Sequence, residues 1–258
     1  MDRQSILELE ANGAATPLAT VRAWNALALG TIGTVALAHE PARALALVHT
    51  CMYNAWAAYD DHARQTAHGV AVRLPRAERD AASQAAAMGH AAHAVLAGLD
   101  ARSGADAGTD AGLFTPEGIG RMQAAALLDV RHRDQPFALM PAEVRPAAAA
   151  RPLALVAVWC DVAQRVSLRA GHDDDRDVLL FFVLANALAD ADHAARDGVC
   201  AAFAAAEALR RFTGSDILDD ATFTDLAAQA GPGAGQDVGR KIGARVFDKA
   251  RRYWQGDM

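Results

Sequence analysis

The stretch DDDRDVLLFFVLANALADADHAARD, residues 173–197, decides the fold. It opens on three consecutive aspartates, which cap a helix and complement the partial positive charge of its N-terminus. The apolar run that follows, residues 178–189, is longer than an ordinary strand. This pattern predicts a long buried helix from Asp173 to about Asp197, with Gly198 as an interruption or an end.

The rest of the chain has the composition of a helical protein. About a quarter of its residues are alanine, the strongest helix former and a poor strand residue. Hydrophobic residues make up 52% of the 258 positions, which is enough to build a sizeable core. We therefore expect an all-α fold, a single helical domain over residues 1–258 with about eight or nine helices in one bundle.

Capping residues, prolines and glycines mark where these helices begin and end. Thr115-Pro116-Glu117 is a typical start, and Thr213-Gly214 is a typical stop. Residues 100–114 are predicted to form a flexible loop, and residues 138–152 a linker. The predicted helices span about 17–33, 41–66, 75–99, 116–133, 153–170, 173–197, 199–212, 222–230 and 236–254.

Charge and cysteine content limit the kind of partner and the compartment. The net charge of −6 argues against a nucleic-acid or anionic-membrane partner, because phosphate neutralisation needs a basic excess. The three cysteines lie in apolar helical runs without metal-ligand spacing, so they are predicted to be buried thiols in a reducing compartment. The N-terminus is polar and acidic, unlike a signal peptide, and the apolar segment 17–38 contains Arg22 and Asn25. These features predict a cytoplasmic protein without a membrane partner.

The predicted helix 41–66 places a histidine and an acid beside large apolar residues. At about 100° per residue, one arc of less than half a turn contains Leu45, His49, Met52, Trp56, Tyr59 and Asp60. Two interpretations fit this arc. In the first it is a core face, with His49 hydrogen-bonded and Asp60 at the solvent edge. In the second these residues line a pocket.

The helix at 173–197 has a polar stripe that continues its apolar face. Asn186, Asp190, His193 and Asp197 follow at i, i+4, i+7 and i+11, within an arc of about 60°. Such a stripe either emerges into solvent at the helix end or lines a cavity. In a cavity, its carboxylates and imidazole could bind a divalent cation or exchange protons.

The two acidic regions together suggest an alternative enzyme. Aspartate-rich helices that face each other hold magnesium in enzymes that ionise an isoprenoid diphosphate. The ligands here would be Asp60, Asp61, Asp190 and Asp197. Trp56, Tyr59, Phe182 and Asn186 would line the pocket, where aromatic rings stabilise cations. The spacing fits such sites poorly, since YDDHARQ has no third acid at the expected offset. A third hypothesis is acid/base or lyase chemistry at His49 or His193 without a metal.

Five segments, in this order, resemble one family. They are PARALALVHTCMYNAWAAYDDHA (41–63), VRLPRAERDAA (72–82), TPEGIGRMQAAALLDVRHRD (115–134), DVLLFFVLANALADADHAARD (177–197) and AAFAAAEALRRFTGSD (201–216). Together they resemble the vanadium-dependent haloperoxidase-like proteins of bacteria, relatives of the type 2 phosphatidic acid phosphatases. The resemblance runs from about Trp24 to Trp254, and the first segment is the most specific. It implies an all-helical fold of the haloperoxidase type.

The resemblance also implies what this chain lacks. The family holds vanadate or phosphate with a Lys and an Arg-Pro pair, a Pro-Ser-Gly-His segment, and a Ser-Arg segment followed by a histidine. Here the chain passes from Asp197 through Gly198 directly into the next helical segment, and His193 is its last histidine. No residue of the oxyanion motif can be carried over. We therefore expect neither vanadate nor haloperoxidase or phosphatase activity.

Taken together, these observations favour a degenerate member of that family. We expect a binding or scaffolding protein without a cofactor, whose deletions uncover apolar helix faces that a dimer would bury. The expected partner is a second copy or a catalytically complete relative, and a hydrophobic small molecule is a further candidate. Under the alternative, the cofactor is Mg²⁺.

Overall fold

The computed structural model describes residues 20–33, 40–99, 112, 114–129, 135–139, 153–195, 198–214 and 234–255. These residues form eight α-helices, one short 3₁₀ turn at Arg76–Glu78 and no strand, which confirms the all-α prediction. The helices are α1 (Thr20–Ile32), α2 (Pro41–Trp56), α3 (Ala81–Leu99), α4 (Pro116–Leu128), α5 (Leu153–Ala170), α6 (Asp174–Ala194), α7 (Gly198–Thr213) and α8 (Ala234–Gln255).

Helix α6 is the centre of the bundle. Every residue from Asp177 to Asp192 is buried, because α1, α2, α5, α7 and α8 all pack against it. A helix that is apolar on all sides requires this position. Helices α3 and α4 pack on each other and on α2, and buried residues of all eight helices belong to one hydrophobic cluster.

Several predicted helix ends are confirmed by their capping contacts. The Asp173 carboxylate accepts a hydrogen bond from Arg176 N at 2.9 Å and so caps α6. Thr115 caps α4 in the same way, with Pro116 in the first turn. Gly214 ends α7 with φ of +78°, a conformation that favours glycine.

The prediction that the second helix continues to Thr66 is wrong. Helix α2 ends at Trp56, and the chain turns because Asp60 Oδ1 accepts hydrogen bonds from the backbone N–H groups of His62 and Ala63, both at 2.7 Å. A short polar side chain that bonds nearby backbone in this way competes with the helix. Tyr59 and Asp60 therefore do not continue the face of α2 that carries His49.

Two other helix ends differ from the prediction. Pro75 precedes the 3₁₀ turn, and α3 begins only at Ala81, where Asp80 accepts a hydrogen bond from Ser83 N at 2.8 Å. Helix α4 ends at Leu128, short of the predicted Arg133, because Asp129 leaves the helical conformation. The predicted loop 100–114, linker 138–152 and helix 222–230 lie wholly or mostly outside the described residues.

Helices α7 and α8 pack closely because two glycines of α8 face α7. A Cβ atom added at Gly239 would lie 2.9 Å from Phe203 Cβ, and one added at Gly243 would lie 3.0 Å from Glu207 Cβ. Each would also press against the backbone of α7. This contact fixes α8 on the side of the bundle where its Lys249 reaches the end of α6.

Among the described helices, none combines the length and the apolar character that a membrane crossing requires.

Candidate functional site

Asp190 of α6 is fully buried and holds a distant segment of the chain. Its two carboxylate oxygens accept hydrogen bonds from Phe137 N and Ala138 N, both at 2.7 Å. Burial raises the pKa of Asp190 to about 6, although the two hydrogen bonds favour the charged form. The carboxylate thus anchors residues 135–139 to α6.

Lys249 of α8 binds the same segment, residues 135–139. Its ammonium group donates a hydrogen bond to Phe137 O and lies 4.8 Å from the centre of the Phe137 ring. Burial lowers the pKa of Lys249, and the negative charge of Asp190 opposes this shift. Residues 135–139 are therefore held between Asp190 of α6 and Lys249 of α8, and we call this pair of side chains the clamp.

A small cavity lies beside this clamp, and its wall includes both apolar and polar side chains. Its volume is about 40 Å³, and its lining includes Thr50, His68, Asn186, Asp190 and His193. This volume admits water, which needs at least about 10–15 Å³, but falls well below the roughly 300 Å³ of small-molecule sites. The structure thus brings Asn186, Asp190 and His193 to one cavity, while Asp197 lies outside the described residues.

Asn186 joins α6 to α2 at the wall of this cavity. Its Nδ2 donates hydrogen bonds to Thr50 Oγ1 and Phe182 O, both at 2.9 Å. Both polar side chains are almost completely buried, and burial of an amide requires such partners. The amide of Asn186 therefore serves the packing of the two central helices.

His49 lies in the core rather than in this cavity. Its ring is fully buried, with Nε2 at 3.0 Å from Asn25 Oδ1, and it stacks on Phe181 at a centroid distance of 5.2 Å. Burial lowers the pKa of His49 to about 3, so the imidazole is neutral at physiological pH. The contacts fit the core-face interpretation of the helix.

Replacing His49 with glutamine is expected to remove part of the protein's loss of stability in acid. The pKa of His49 is about 3 in the folded chain and near 6.5 ordinarily, so on acidification the unfolded chain takes up this proton first. The stability that depends on His49 is therefore complete above pH 6.5 and lost progressively down to pH 3, by about 1.4 kcal/mol per pH unit.

Urea unfolding at about pH 7, 6 and 5 measures this effect, because the wild type should lose about 2 kcal/mol through His49 over that range and H49Q none. Asp190 acts in the opposite direction, since its raised pKa lets the folded chain hold a proton between about pH 6 and 4. It is present in both proteins, so it cancels in the comparison. If the free energy of unfolding fell equally between about pH 7 and 5 in the wild type and in H49Q, the buried neutral imidazole would be contradicted.

The aromatic residues predicted to line a pocket are packed in the core. Trp56 donates from Nε1 to Asp175 Oδ1 at 2.7 Å, and Phe182 stacks on Tyr53 at 4.3 Å. Tyr59 is buried, and burial raises the pKa of its hydroxyl to about 12. Of the four residues predicted for a pocket, only Asn186 belongs to the lining of the cavity beside Asp190.

The adjacent acids Asp60 and Asp61 have local structural contacts. Asp60 caps the turn that follows α2, and Asp61 pairs with Arg76 at 3.2 Å and Arg79 at 2.5 Å. Within the described part of the chain, no three His, Cys, Asp or Glu side chains are grouped so that they could hold a metal. The proposed ligand Asp197 is not among those residues, so the four-acid magnesium site stays a prediction.

Two features were not found from the sequence. The acidic run at 173–177 was interpreted only as a cap, yet Asp177 is buried and its Oδ2 lies 3.3 Å from Arg22 Nε of α1. The signal for this buried ion pair was Arg22, the one arginine in the apolar segment 17–38. On α5, Val158 and Leu168 are 57% and 66% exposed, and they are two of the five exposed large apolar side chains among the described residues.

Comparison with protein-family models, curated proteins and solved structures finds no match to this chain. Its function must therefore be inferred from its own residues and contacts.

Proposed function

We propose that this chain is a binding or scaffolding protein that acts as a homodimer, and that the outer face of α5 is the dimer contact. The observation that supports this most directly is a self-complementary stripe of exposed residues on that helix. The polar groups that the sequence singled out for chemistry support it indirectly, because His49, Asn186 and Asp190 have contacts that hold helices and segments together.

The stripe consists of residues that share one side of α5. At about 100° per residue they fall within an arc of about 80°. The side of α5 opposite to them carries Ala163, which is fully buried. We call this set the α5 stripe, and its members, all exposed, are Ala154, Val158, Asp161, Arg165 and Leu168.

The order of residues along the α5 stripe matches a twofold axis. Val158 and Leu168 are equally far in sequence from Ala163, and so are Asp161 and Arg165. If two copies of α5 pack antiparallel through this stripe, with the twofold axis at the level of Ala163 along the helix, Val158 of one copy meets Leu168 of the other. The same operation places each aspartate opposite an arginine, which is the isologous arrangement of a C₂ dimer.

The charges favour this arrangement over others. Asp161 and Arg165 already form an intrahelical ion pair at 2.8 Å, and both side chains are well exposed. In the antiparallel dimer each pair joins its twin in a cluster of four alternating charges. A parallel arrangement in register would instead place like charges together, which is unfavourable.

Exchanging the two charges tests the pairing directly. Asp161→Arg alone places two arginines opposite each other, and Arg165→Asp alone places two aspartates opposite each other. We expect either single variant to weaken dimerisation at least about tenfold. The double variant D161R/R165D restores opposite charges across the axis, so it should dimerise like the wild type. Sedimentation equilibrium of the four proteins gives the dissociation constants.

The double variant is also the control for general effects of charge. It has the net charge of the wild type, whereas the single variants differ in opposite directions. Equal dissociation constants for all four proteins, or a double variant weaker than both singles, would contradict the antiparallel contact. A complex that forms only with a catalytically complete haloperoxidase-like relative would contradict the homodimer.

The resemblance to haloperoxidase-like proteins and the magnesium-dependent alternative both stay predictions. The scaffold proposal is compatible with the resemblance, because a fold does not determine a function. The alternative requires Asp60 and Asp61 to act as ligands, whereas their contacts here are a turn and two arginines. No described contact favours it as a second function.

A further inference from the structure

The side chains around Phe137 form a site for one aromatic ring. The Phe137 ring packs edge-on against Phe182 of α6, with 5.2 Å between the ring centroids, and lies 6.1 Å from the Tyr253 ring of α8. The Lys249 ammonium lies 4.8 Å from the centre of the same ring, and Phe137 is only 8% exposed. We call this the aromatic site, and its members are Phe182, Asp190, Lys249 and Tyr253.

The polar contacts of the aromatic site recognise a peptide unit. Asp190 accepts hydrogen bonds from the N–H groups of Phe137 and Ala138, and Lys249 donates to the Phe137 carbonyl, which lies between them in the chain. Any phenylalanine with a peptide bond on each side presents these two donors and this acceptor. The charges of Asp190 and Lys249 act on each other, so such recognition needs no uncompensated charge in the site.

The chain's own segment is attached to the site by few contacts. Phe137, Ala138 and Leu139 make no backbone–backbone hydrogen bond with a helix in the part of the chain that the structure describes. The N–H groups of Phe137 and Ala138 bond to the Asp190 side chain instead. A segment held by side chains rather than by a backbone ladder opens at a lower free energy than the helices around it.

Two cavities border the aromatic site. The cavity of about 40 Å³ has Phe137 and Asp190 in its wall. A second cavity, of about 340 Å³, has Lys249 and Tyr253 in its wall. Protein interiors are ordinarily close-packed, with few voids larger than a water molecule. The packing around Phe137 is therefore incomplete, and the segment can leave without opening a close-packed core.

We propose that the aromatic site binds a phenylalanine-containing peptide of a partner protein, which takes the place that residues 135–139 occupy in the free chain. This contact is separate from the α5 homodimer and does not depend on it. The clamp binds the peptide groups of the phenylalanine, and the rings of Phe182 and Tyr253 select the aromatic side chain. The chain's own segment competes at the effective concentration of a tethered ligand, about millimolar, so an incoming peptide binds more weakly than it would bind to an empty site.

N-acetyl-L-phenylalaninamide is the probe, because it carries one aromatic ring with a peptide bond on each side. Phe137→Ala removes the ring of the competing segment. We expect this variant to bind the probe at one site per chain and at least about tenfold more tightly than the wild type. Adding Asp190→Ala to Phe137→Ala should weaken binding at least about tenfold, because the acceptor of both N–H groups is lost. NMR titration gives the dissociation constants, and circular dichroism verifies that each variant is folded.

Phe203→Ala is the matched control for the filling of a new cavity. It also removes a fully buried phenylalanine ring, but from α7 and outside the aromatic site. The probe should bind to it no better than to the wild type. Amide hydrogen exchange of the wild type is a second measurement that needs no variant. Addition of the probe should make the amides of Phe137 and Ala138 exchange faster, while the amides of α6 stay protected.

Four outcomes would overturn the proposal. One is the absence of saturable probe binding to folded Phe137→Ala. A second is equal affinity of Phe137→Ala with and without Asp190→Ala, which would mean a simple apolar cavity. A third is equally tight binding to Phe203→Ala. The fourth is a wild type in which the amides of Phe137 and Ala138 stay protected at every probe concentration, which would mean that the segment is a permanent part of the core.

Discussion

The double variant G239V/G243V is expected to lose at least about 4 kcal/mol of its free energy of unfolding, a large part of the 5–15 kcal/mol typical of a folded domain. At these two positions a Cβ atom would already crowd Phe203 Cβ at 2.9 Å and Glu207 Cβ at 3.0 Å. It would also press on backbone atoms of α7, which cannot turn away as a side chain can. Valine adds two further methyl groups at each site, so α8 must move off α7.

Gly30→Val is the matched control for this prediction. Gly30 also lies inside a helix, but a Cβ atom added there meets nothing within 4 Å. Because valine has a slightly better helix propensity than glycine, the control should be neutral or gain a few tenths of a kcal/mol. Urea unfolding followed by circular dichroism gives both values. If the double variant lost less than about 1 kcal/mol, the close α7–α8 contact would be wrong.

Asp190→Ala is expected to be the most destabilising single change of a polar residue described here. It leaves the buried N–H of Phe137 and the N–H of Ala138 without their acceptor, at about 1–3 kcal/mol each. Removing a carboxylate that is costly to bury offsets a part of this loss. We expect a net loss of about 2–4 kcal/mol and release of residues 135–139 from α6.

Amide hydrogen exchange distinguishes this anchoring role from a general loss of packing. In the wild type the amides of Phe137 and Ala138 should be protected, and in Asp190→Ala they should exchange faster than the amides of α6 and α7. Asp190→Asn is the intermediate case, because its amide keeps one acceptor oxygen but presents an N–H group to the second donor. Unchanged protection of these two amides in Asp190→Ala would contradict the clamp.

The parts of the fold that depend on local signals were predicted well from the sequence. The aspartates at 173–175 and Thr115-Pro116 are capping signals that act within one turn, so α6 and α4 begin where they were expected. Helix α5 was predicted with its observed limits, Leu153–Ala170. The end of α2 was missed because the hydrogen bonds of Asp60 to the following turn compete with a helical pattern that otherwise continues.

The candidate sites depend on contacts between residues that are distant in the sequence. The spacing of Asn186, Asp190 and His193 predicted one shared face, and the structure places all three at one cavity. The role of Asp190 could not be predicted, because its partners lie more than 50 positions earlier in the chain. The close packing of α8 on α7 does have a signal in the sequence, since Gly239 and Gly243 have the i, i+4 spacing of small residues at a helix contact.

If this chain works as a homodimer through α5, its mass in solution must depend on its concentration. Because a contact made by one helix face is small, we expect a dissociation constant of about micromolar order. Light scattering over a range of concentrations should therefore give a mass that rises from 27.1 kDa towards twice that value. Leu168→Glu should stay at the mass of one chain. A wild type that remains at 27.1 kDa at about 100 µM would exclude the α5 homodimer, and so would a Leu168→Glu variant that associates equally well.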